Sequence, residues 1–171
     1  MRRHADFWQV TQDALDYALD TFGLRDEILR RALMDAYLHL DCYPEVPAML
    51  NALKRAHIPT AILSNGSPMM LNAAVENSGL ADLIDVTLSI EEVGVYKPDP
   101  RVYQLAVERL GIPASALSFQ SANAWDAAGA ASFGLRVVWV NRFGQRRERL
   151  PFEPEAEIAS LSELPGRLGL L

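Results

Sequence analysis

The sequence has only one cysteine, Cys42, among its 171 residues. A single cysteine cannot form an intrachain disulfide, so disulfide-stapled secreted domains are excluded and a reducing compartment, the cytoplasm, is expected. Long hydrophobic runs are missing too, because no stretch reaches the roughly 18 apolar residues that indicate a membrane-spanning helix. The polar start at residues 1–4 does not lead into the apolar segment of a signal peptide, so we expect no membrane partner.

Positive charge is also scarce. The formal net charge is −6 at pH 7, and the isoelectric point of about 5.0 does not fit a nucleic-acid-binding surface. The short arginine cluster within residues 142–149 is expected to be a solvated loop. Hydrophobic residues make up 50% of the chain and charged residues 22%, which is typical of a soluble globular domain. We expect this domain to act on a small molecule and not on nucleic acid.

The first forty residues show helical periodicity and no strand pattern. Apolar residues at helical spacing follow Thr11, a candidate N-cap, and Gly23 is placed to end this helix. A second helix is predicted to start near Asp26, with a broad apolar face that continues to Leu40. These two helices predict a small lobe at the start of the sequence.

From Pro44 onward, helices and strands alternate. Pro44 suits the first turn of a helix, and Pro68 and Pro100 are placed to open two more. Strands are predicted at residues 60–63, 84–89, 117–120, 137–140 and 158–161. This alternation predicts an α/β fold with a mostly parallel sheet and right-handed crossovers.

Two polar clusters follow strands of this predicted sheet. Ser64 and Asn65 come after the first strand, and Ser121, Asn123 and Asp126 come after the third. The carboxyl ends of the strands form the edge at which open α/β sheets bind ligands. We therefore expect these side chains to lie side by side in an active site.

Each polar segment also has a purely structural explanation. The amides after Ser64 suit a carboxylate or phosphate at a helix N-terminus, but Asn-Gly at residues 65–66 is also ordinary turn chemistry. Lys97 suits a fixed cation that faces anionic intermediates, or an exposed lysine in a proline-rich loop. Asp126, with Trp125 as the wall of a small pocket, suits a functional carboxylate or a helix cap.

Three sequence motifs occur together and in order: Ser-Asn-Gly after a strand, Tyr-Lys-Pro-Asp-Pro with Val-Tyr soon after, and Ser-x-Asn-x-Trp-Asp followed by Ala-x-Gly-Ala. This combination resembles the haloacid dehalogenase superfamily, and specifically the L-2-haloacid dehalogenases. The resemblance extends from Asp6 to Arg142. It implies a Rossmann-like core with a helical cap.

The resemblance also implies an activity, the hydrolytic dehalogenation of short L-2-haloalkanoic acids to 2-hydroxy acids without a cofactor. The implied partner is a small halogenated carboxylic acid. In that family an aspartate attacks C2 on the side opposite the halide, and water hydrolyses the resulting ester. By position, the resemblance implies a set of catalytic residues: Lys97 is a cation near the nucleophile, Asp126 positions or activates the hydrolytic water, and Ser121 and Asn123 orient these two. It implies a second set of residues around the substrate: Ser64 binds the substrate carboxylate, Asn65 lies near the leaving halide, Tyr103 is a hydrogen-bonding support for Lys97, and Trp125 is a pocket wall.

One position separates this resemblance from the phosphatases that share the fold. Those enzymes carry an additional acidic residue for Mg²⁺ a few positions before the equivalent of Asp126, where this sequence has Ala122. Alanine cannot ligate Mg²⁺, a cation that requires oxygen ligands. No metal is therefore expected, and a phosphatase-like hydrolase is disfavoured.

The family's nucleophilic aspartate ends the first core strand, and it has no counterpart in this sequence. The earliest aspartate, Asp6, matches a position in the cap, and Arg2 and Arg3 fall too late to match the family's halide-binding arginine. We therefore expect residues 1–42 to form a partial helical cap. Residues 43–171 are expected to form a core that lacks its first, central strand.

Relative to the family, the sequence is expected to be N-terminally truncated. Loss of a central strand leaves two rows of backbone groups unpaired, at a cost of about 1–3 kcal/mol for each buried group. Three outcomes are expected as alternatives: a gap in the sheet, a partner chain that fills it, or collapse of the flanking strands onto each other.

Three functions remain open at this point. The first is a dehalogenase by descent that is inactive as this chain alone. The second is a non-catalytic module that binds a small carboxylate at Ser64, Lys97 and Asp126, and the third is a phosphatase-like hydrolase. The exposed faces of the lobe are a candidate surface for a homodimer.

Overall fold

The computed structural model describes residues 4–170. Arg2 and Arg3, which do not match a halide-binding arginine by sequence, lie outside the described residues. The α-helices are α1 (Phe7–Thr21), α2 (Glu27–Ala36), α3 (Val46–Arg55), α4 (Pro68–Asn77), α5 (Pro100–Leu110), α6 (Ala124–Phe133) and α7 (Leu164–Arg167). The strands are β1 (Ala61–Ser64), β2 (Val86–Ser89), β3 (Ser118–Ser121), β4 (Arg136–Val140) and β5 (Ala156–Ile158). None of the helices within residues 4–170 is long and apolar enough to cross a membrane.

Capping side chains set the ends of the first two helices. α1 begins after Asp6, whose carboxylate accepts a hydrogen bond from the Gln9 amide at 3.0 Å. The prediction that Thr11 caps this helix is wrong, because Thr11 lies inside α1 and its hydroxyl donates to the carbonyl four residues earlier at 2.7 Å. The prediction for Gly23 is confirmed by its position after the helix with a φ of 66°. The predicted start of the second helix near Asp26 is also confirmed, and Asp26 is the N-cap of α2.

Two predicted helix boundaries differ from the structure. α2 ends at Ala36, so the apolar pattern that reaches Leu40 continues beyond the helix. α3 begins at Val46, and the proline in its first turn is Pro47. The prediction for Pro44 is therefore wrong by one turn, and the preceding segment is a turn that leads into the helix.

The five strands form two separate sheets, and every pair of neighbouring strands is parallel. β1 pairs with β2, which places Ser64 opposite Ser89 at the carboxyl end. In the second sheet β4 lies between β3 and β5. β5 ends at Ile158, earlier than predicted, because Ser160 and Glu163 form a capping box that starts a 3₁₀ helix.

A gap separates the two sheets between β1 and β3. Among the described strands, β1 pairs only with β2 and β3 pairs only with β4. The predicted gap is therefore confirmed, and the predicted collapse of β1 onto β3 is wrong. Filling of the gap by a partner chain remains a prediction. Each free edge presents backbone N–H and C=O groups that another parallel strand could pair with.

Helices cover both faces of the two sheets. On one face, α3, α4 and α7 pack over a core cluster of Met49, Leu50, Leu53, Val75, Leu80, Val138, Val140, Ile158 and Leu164. On the other face, α5 and α6 pack over a cluster of Tyr103, Ala127, Ala130, Leu135, Val137 and Trp139. Leu63 of β1 contacts this second cluster and also the cluster of Leu88, Leu105 and Ala106. The α5–α6 layer thus joins the two sheets across the gap.

The lobe of α1 and α2 buries few of its side chains. The two helices contact each other, and Thr11, Leu19 and Met34 are their buried residues. Of the thirteen exposed large apolar side chains in the described part of the chain, nine belong to the lobe and its connection to α3: Val10, Tyr17, Phe22, Leu24, Ile28, Leu33, Tyr37, Leu40 and Tyr43. The broad apolar face predicted for α2 therefore faces outward.

Contacts at both ends fix the lobe to the core. Before α1, His4 Nε2 lies 2.8 Å from Glu91 Oε2, and Tyr96 Oη donates to the Ala5 carbonyl at 2.8 Å. After α2, Ser78 Oγ donates to the Leu40 carbonyl at 2.9 Å. The contacts before α1 involve Glu91 and Tyr96, which belong to the segment that leads into Lys97.

Candidate active site

The residues predicted for the site meet at the carboxyl ends of β1 and β3, across the gap. Asn65 follows β1, and its Oδ1 accepts a hydrogen bond from the backbone N–H of Lys97 at 3.1 Å. Lys97 Nζ in turn lies 3.0 Å from Asp126 Oδ2, in the first turn of α6 after β3. A continuous set of contacts therefore links the segments that follow the two strands.

The segment after β1 is a turn closed by its own side chains. Ser64 Oγ accepts the Gly66 N–H at 3.0 Å, and Ser67 Oγ accepts the Met70 N–H at 3.4 Å as the N-cap of α4. The explanation of this segment as ordinary turn chemistry is therefore correct, and the segment also caps a helix. It is compatible with ligand binding, because the Ser64 hydroxyl keeps its proton to donate at the N-terminus of a helix.

Lys97 and Asp126 form a buried ion pair. Their side chains are 7% and 6% exposed, so the alternative of an exposed lysine in a proline-rich loop is wrong. The alternative that an Asp or Asn side chain caps this helix is also wrong, because Asn123 occupies the N-cap position of α6 without a side-chain capping bond and Asp126 lies in the first turn. Buried charges are costly unless they are paired and hydrogen-bonded, and this pair meets both conditions.

Two hydroxyl groups donate hydrogen bonds to the Asp126 carboxylate. Tyr103 Oη donates to Oδ1 at 2.8 Å, and Ser121 Oγ donates to Oδ2 at 2.9 Å. Tyr103 was predicted as a hydrogen-bonding support for Lys97, but its hydrogen bond goes to Asp126 instead. α5 places the phenol against the start of α6, so Tyr103, which is fully buried, reaches the lysine only through the carboxylate.

Asn123 and Trp125 lie outside this network. Asn123 was expected to orient the ion pair, but its contact is indirect, because its backbone N–H donates to Ser121 Oγ at 3.2 Å. Its side chain instead lines a cavity of about 330 Å³ between the end of β3 and the loop after β4, together with Tyr43, Gln120, Ala122, Val140, Asn141, Arg142, Phe143, Gln145 and Leu161. Trp125, the predicted pocket wall, is 41% exposed and is not among these lining residues.

Burial changes the ionisation of two groups in the network. Desolvation lowers the pKa of Lys97, while the neighbouring Asp126 carboxylate opposes this change by favouring the cation. Desolvation also raises the pKa of Tyr103, and the charge of Asp126 raises it further. Both directions follow from the cost of a charge in a low-dielectric surrounding. The phenol therefore stays protonated as a hydrogen-bond donor.

Two residues outside the predicted set of site residues contact this network. Lys97 Nζ lies 4.8 Å from the centroid of the Phe119 ring on β3. At Gly129 of α6, an added Cβ would lie 2.6 Å from Pro98 Cβ and 2.7 Å from Tyr103 Oη. Gly129 belongs to the Ala-x-Gly-Ala motif of the sequence. No comparable signal marked Phe119, because its contact depends on how the lysine loop folds back over β3.

The site does not offer the ligands of a divalent cation. Ala122 has no oxygen in its side chain, and the carboxylate of Asp126 is already bound by an ammonium group and two hydroxyl groups. Across residues 4–170, no group of three or more His, Cys, Asp or Glu side chains is arranged to hold a metal ion.

Comparison with known proteins places this geometry in a family. A sequence model of haloacid dehalogenase-like hydrolases matches residues 1–134, which include all eight residues predicted for the site. The chain belongs to the haloacid dehalogenase-like hydrolase family. It is 47% identical over 167 residues to (S)-2-haloacid dehalogenase 1 of Pseudomonas sp. strain CBS-3, which covers 96% of this chain and 73% of that protein. It is also 47% identical over 162 residues to an (S)-2-haloacid dehalogenase of Pseudomonas sp. strain YL, covering 94% of this chain and 70% of the relative.

Solved structures of dehalogenases share the fold of this family member. One, a dehalogenase described with an intermediate complex, superposes with a TM-score of 0.94 at 43% identity, covering 96% of this chain and 74% of that chain. The L-2-haloacid dehalogenase from Xanthobacter autotrophicus, described with chloropropionic acid covalently bound, superposes with a TM-score of 0.91 at 35% identity and covers 98% and 77%. The predicted α/β haloacid dehalogenase fold is confirmed.

Proposed function

We propose that this chain carries part of the active site of an (S)-2-haloacid dehalogenase, which hydrolyses short L-2-haloalkanoic acids to 2-hydroxy acids through an aspartyl ester. The observation that carries the proposal is the buried Lys97–Asp126 pair, held beside the Ser64–Asn65 turn at the edge of the gap. Relatives with 47% identity are named for this activity. A relative with 35% identity is described with chloropropionic acid covalently bound, which fits an ester intermediate.

The turn after β1 is proposed to receive the substrate. The Ser64 hydroxyl and the amides at the start of α4 present donors to the carboxylate of the acid. Asn65 uses its Oδ1 to accept the Lys97 N–H, so its NH₂ group is directed away from that bond as a donor. We assign this NH₂ group to the leaving halide, which gains negative charge as the bond to carbon breaks.

The buried pair is proposed to serve the anionic steps. Lys97 Nζ has three N–H donors, and its hydrogen bond to Asp126 uses one of them. The other two can stabilise the nucleophilic carboxylate and the oxyanion formed during ester hydrolysis. Asp126 fixes the lysine and orients the hydrolytic water, while Tyr103 and Ser121 hold Asp126. Asn123 lines the neighbouring cavity, and we keep the predicted role of Trp125 as a pocket wall as part of this proposal.

Ester formation needs a nucleophilic carboxylate at the same edge. The five strands described within residues 4–170 end at Ser64, Ser89, Ser121, Val140 and Ile158, and none of these is an aspartate. We propose that the 171 residues by themselves bind the acid without turnover. A parallel strand that ends in Asp, placed in the gap between β1 and β3, completes the site.

Halide release from (S)-2-chloropropanoate tests this proposal. Chloride is measured by ion chromatography for the 171-residue chain and for the same chain extended at its N-terminus with the corresponding segment of the strain CBS-3 relative. We expect chloride from the extended chain only. The lactate formed with it should be the (R) enantiomer, because attack opposite the halide inverts C2. Lys97→Met in the extended chain serves as the inactive control.

Each result of this assay has a definite meaning. Chloride release by the 171-residue chain contradicts the proposed need for a further strand. A folded, extended chain that releases no halide from any 2-haloacid contradicts the dehalogenase assignment. Hydrolysis of p-nitrophenyl phosphate with Mg²⁺ by that chain would instead indicate a phosphatase-like hydrolase, for which Ala122 leaves no acidic ligand.

The proposal includes domain organisation, assembly and location. Residues 1–42 are assigned to a partial helical cap and residues 43–171 to the core. A homodimer through the cap would cover exposed apolar side chains of the lobe. A small-acid hydrolase whose only cysteine is Cys42 is assigned to the cytoplasm.

Analytical ultracentrifugation tests the dimer. Ile28 on the lobe and Phe143 on the core are 82% and 77% exposed, so lysine at either position causes no buried-charge problem within the chain. We expect Ile28→Lys to shift the chain from dimer to monomer and Phe143→Lys to leave the dimer intact. A wild-type chain that is monomeric at high micromolar concentration contradicts this part of the proposal.

A further inference from the structure

We propose that Phe119 is a positioning residue for Lys97, whose ring face holds the buried ammonium group against Asp126 and stabilises it as a cation. The consequence for turnover rests on the proposed dehalogenase function. The interaction itself does not, because it concerns a contact that is formed before any substrate binds. None of the sequence motifs of the site includes Phe119.

The geometry supports an attraction between the ring and the charge. Lys97 Nζ lies 4.8 Å from the centroid of the Phe119 ring, within the roughly 6 Å over which a ring face attracts a cation. Among residues 4–170, the hydrogen bond of this Nζ is the one to Asp126. With 7% of the lysine side chain exposed, little water can contribute, so the ring is the second favourable contact of the charge.

A second aromatic residue packs against the Phe119 ring and fixes its position. Tyr103 packs edge-on against Phe119 with centroids 5.9 Å apart and an interplanar angle of 87°. Phe119 and Ser121 lie two residues apart on β3, so both side chains point to the same face. On that face, Phe119 contacts the lysine while Ser121 bonds to the carboxylate. One strand therefore supports both members of the ion pair.

An aromatic support suits this position better than a second carboxylate. The groups that face the lysine are the Asp126 carboxylate of α6 and the neutral side chain of Phe119, with the neutral Tyr103 phenol behind them on α5. Desolvation lowers the pKa of Lys97, which means that burial disfavours the charged form. The Asp126 carboxylate opposes this effect, but it also accepts hydrogen bonds from two hydroxyl groups, so it stabilises the cation only in part. A ring face adds stabilisation without a negative charge that would repel an anionic acid.

The titration of Lys97 tests the proposal without any need for turnover. The chain has two lysines, Lys54 and Lys97, so ¹³C-lysine labelling gives two side-chain signals, and the exposed Lys54 serves as an internal reference. We expect Phe119→Leu to lower the titration midpoint of Lys97 by about half to one pH unit. Phe119→Tyr, which keeps a ring face, should restore the wild-type midpoint.

A matched control separates this effect from general loosening of the core. Phe133 packs on the same Tyr103 ring with centroids 5.8 Å apart, so Phe133→Leu removes an aromatic neighbour of the network while retaining the ring beside the lysine. It should leave the midpoint of Lys97 unchanged. An unchanged midpoint in Phe119→Leu, or an equal shift in both variants, overturns the proposal.

If the Phe119→Leu chain does not fold, a fluorinated chain provides the measurement instead. Incorporation of 4-fluorophenylalanine weakens the electron density of the ring face with little change of shape. It should lower the Lys97 midpoint and leave that of Lys54 in place. No movement of the Lys97 midpoint in a folded, fluorinated chain contradicts a cation–ring interaction. A lost chloride release with a normal titration would count against the proposed function and not against Phe119.

Discussion

The two halves of the candidate site are built in different ways. After β1, the side chains of Ser64 and Asn65 are partly exposed and bond to backbone N–H groups. After β3, the side chains of Ser121 and Asp126 are buried and bond to other side chains, including a charged lysine. The first half, Ser64–Gly66, is called the turn half below, and the network around Asp126 is called the buried half.

This difference indicates a division of labour. A side chain of the turn half can change partners with a ligand at little cost, because water and neighbouring amides are available to replace a lost bond. A side chain of the buried half cannot, because each lost bond leaves a polar or charged group unpaired in a dry surrounding. The buried half is therefore suited to present a fixed charge, and the turn half is suited to bind and release.

Asp126→Asn should give the largest effect. The substitution removes the counter-charge of Lys97, whose side chain is 7% exposed. Breaking a buried ion pair in this way typically costs about 3–5 kcal/mol of unfolding free energy, measured by urea denaturation. Asp99→Asn is the control, because Asp99 pairs with the exposed Arg101 and its loss should change stability little. Equal stability of the two variants would show that the buried half carries no special energetic role.

Tyr103→Phe should have the next largest effect. It removes the hydrogen bond from Oη to Asp126 Oδ1 while keeping the packed ring. A hydrogen bond to a charged group contributes about 1.5–3 kcal/mol, and urea denaturation should show a loss of this size. Tyr96→Phe removes a bond to the neutral Ala5 carbonyl and should cost less. A larger loss for Tyr96→Phe would reverse the proposed ranking of the two tyrosines.

The same substitution, glycine to alanine, can be made in each half of the site, at Gly129 and at Gly66. At Gly129 a Cβ would lie 2.6 Å from Pro98 Cβ and 2.7 Å from Tyr103 Oη, so the buried half must shift. Such overpacking costs about 1–3 kcal/mol, enough to outweigh the gain in helix propensity. At Gly66 the nearest atom is the flexible end of Leu71 at 3.2 Å, so thermal denaturation should show a smaller loss. A stable Gly129→Ala chain would mean that α6 moves freely.

Alkaline pH should destabilise the chain through Tyr103. The folded-state pKa of this phenol is raised above the usual 10.0 by burial and by Asp126, so its contribution is complete below pH 10 and is lost as the pH rises further. The slope is at most about 1.4 kcal/mol per pH unit. Lys97 acts in the opposite sense. Because its pKa is lowered in the folded state, the folded chain loses this buried charge before the unfolded chain does, and the free energy of unfolding rises as the pH approaches 10.5.

The pH dependence of urea denaturation between pH 9 and pH 11 measures the balance of these two groups. Tyr103→Phe should flatten the decline, whereas Tyr17→Phe, which changes a phenol that is 76% exposed, should retain it. An unchanged slope in Tyr103→Phe would assign the alkaline loss to other groups.

Ser64→Ala should give the smallest effect on stability. It removes one hydrogen bond from the Gly66 N–H, at 3.0 Å, in the partly exposed turn. The expected loss is about 0.5–1.5 kcal/mol, yet the affinity for a small carboxylate should fall because a donor to the ligand is lost. Calorimetric titration with (S)-2-chloropropanoate measures this affinity. A large loss of stability with unchanged affinity would make Ser64 a structural residue only.

The fold was predictable from the sequence where local signals were strong. Pro68 and Pro100 marked helix starts that the structure confirms, because the fixed φ angle of proline acts within a few residues. Thr11 failed because a threonine inside a helix and one at its start look alike without knowledge of the preceding turn. The separation into two sheets could be stated only as an alternative, since pairing of β1 with β3 is a non-local event.

The site was predictable as a set of residues more than as a set of contacts. The motifs identified Lys97, Ser121 and Asp126, which the structure brings into one hydrogen-bonded network. The partner of Tyr103 was assigned wrongly, because which atom a phenol reaches depends on how α5 packs against α6. Phe119 went unnoticed for the same reason, as its contact joins segments that are distant in sequence.

The most direct test of this division of labour is a titration of the ¹⁵N-labelled chain with (S)-2-chloropropanoate, followed by amide NMR. We predict that the amide signals of residues 64–67 shift with added acid. In a chain that also carries ¹³C-lysine, the side-chain signal of Lys97 should keep the chemical shift of a charged lysine. Amide shifts confined to other parts of the chain, or loss of the charge on Lys97 when the acid binds, would contradict a receptive turn half beside a fixed buried half.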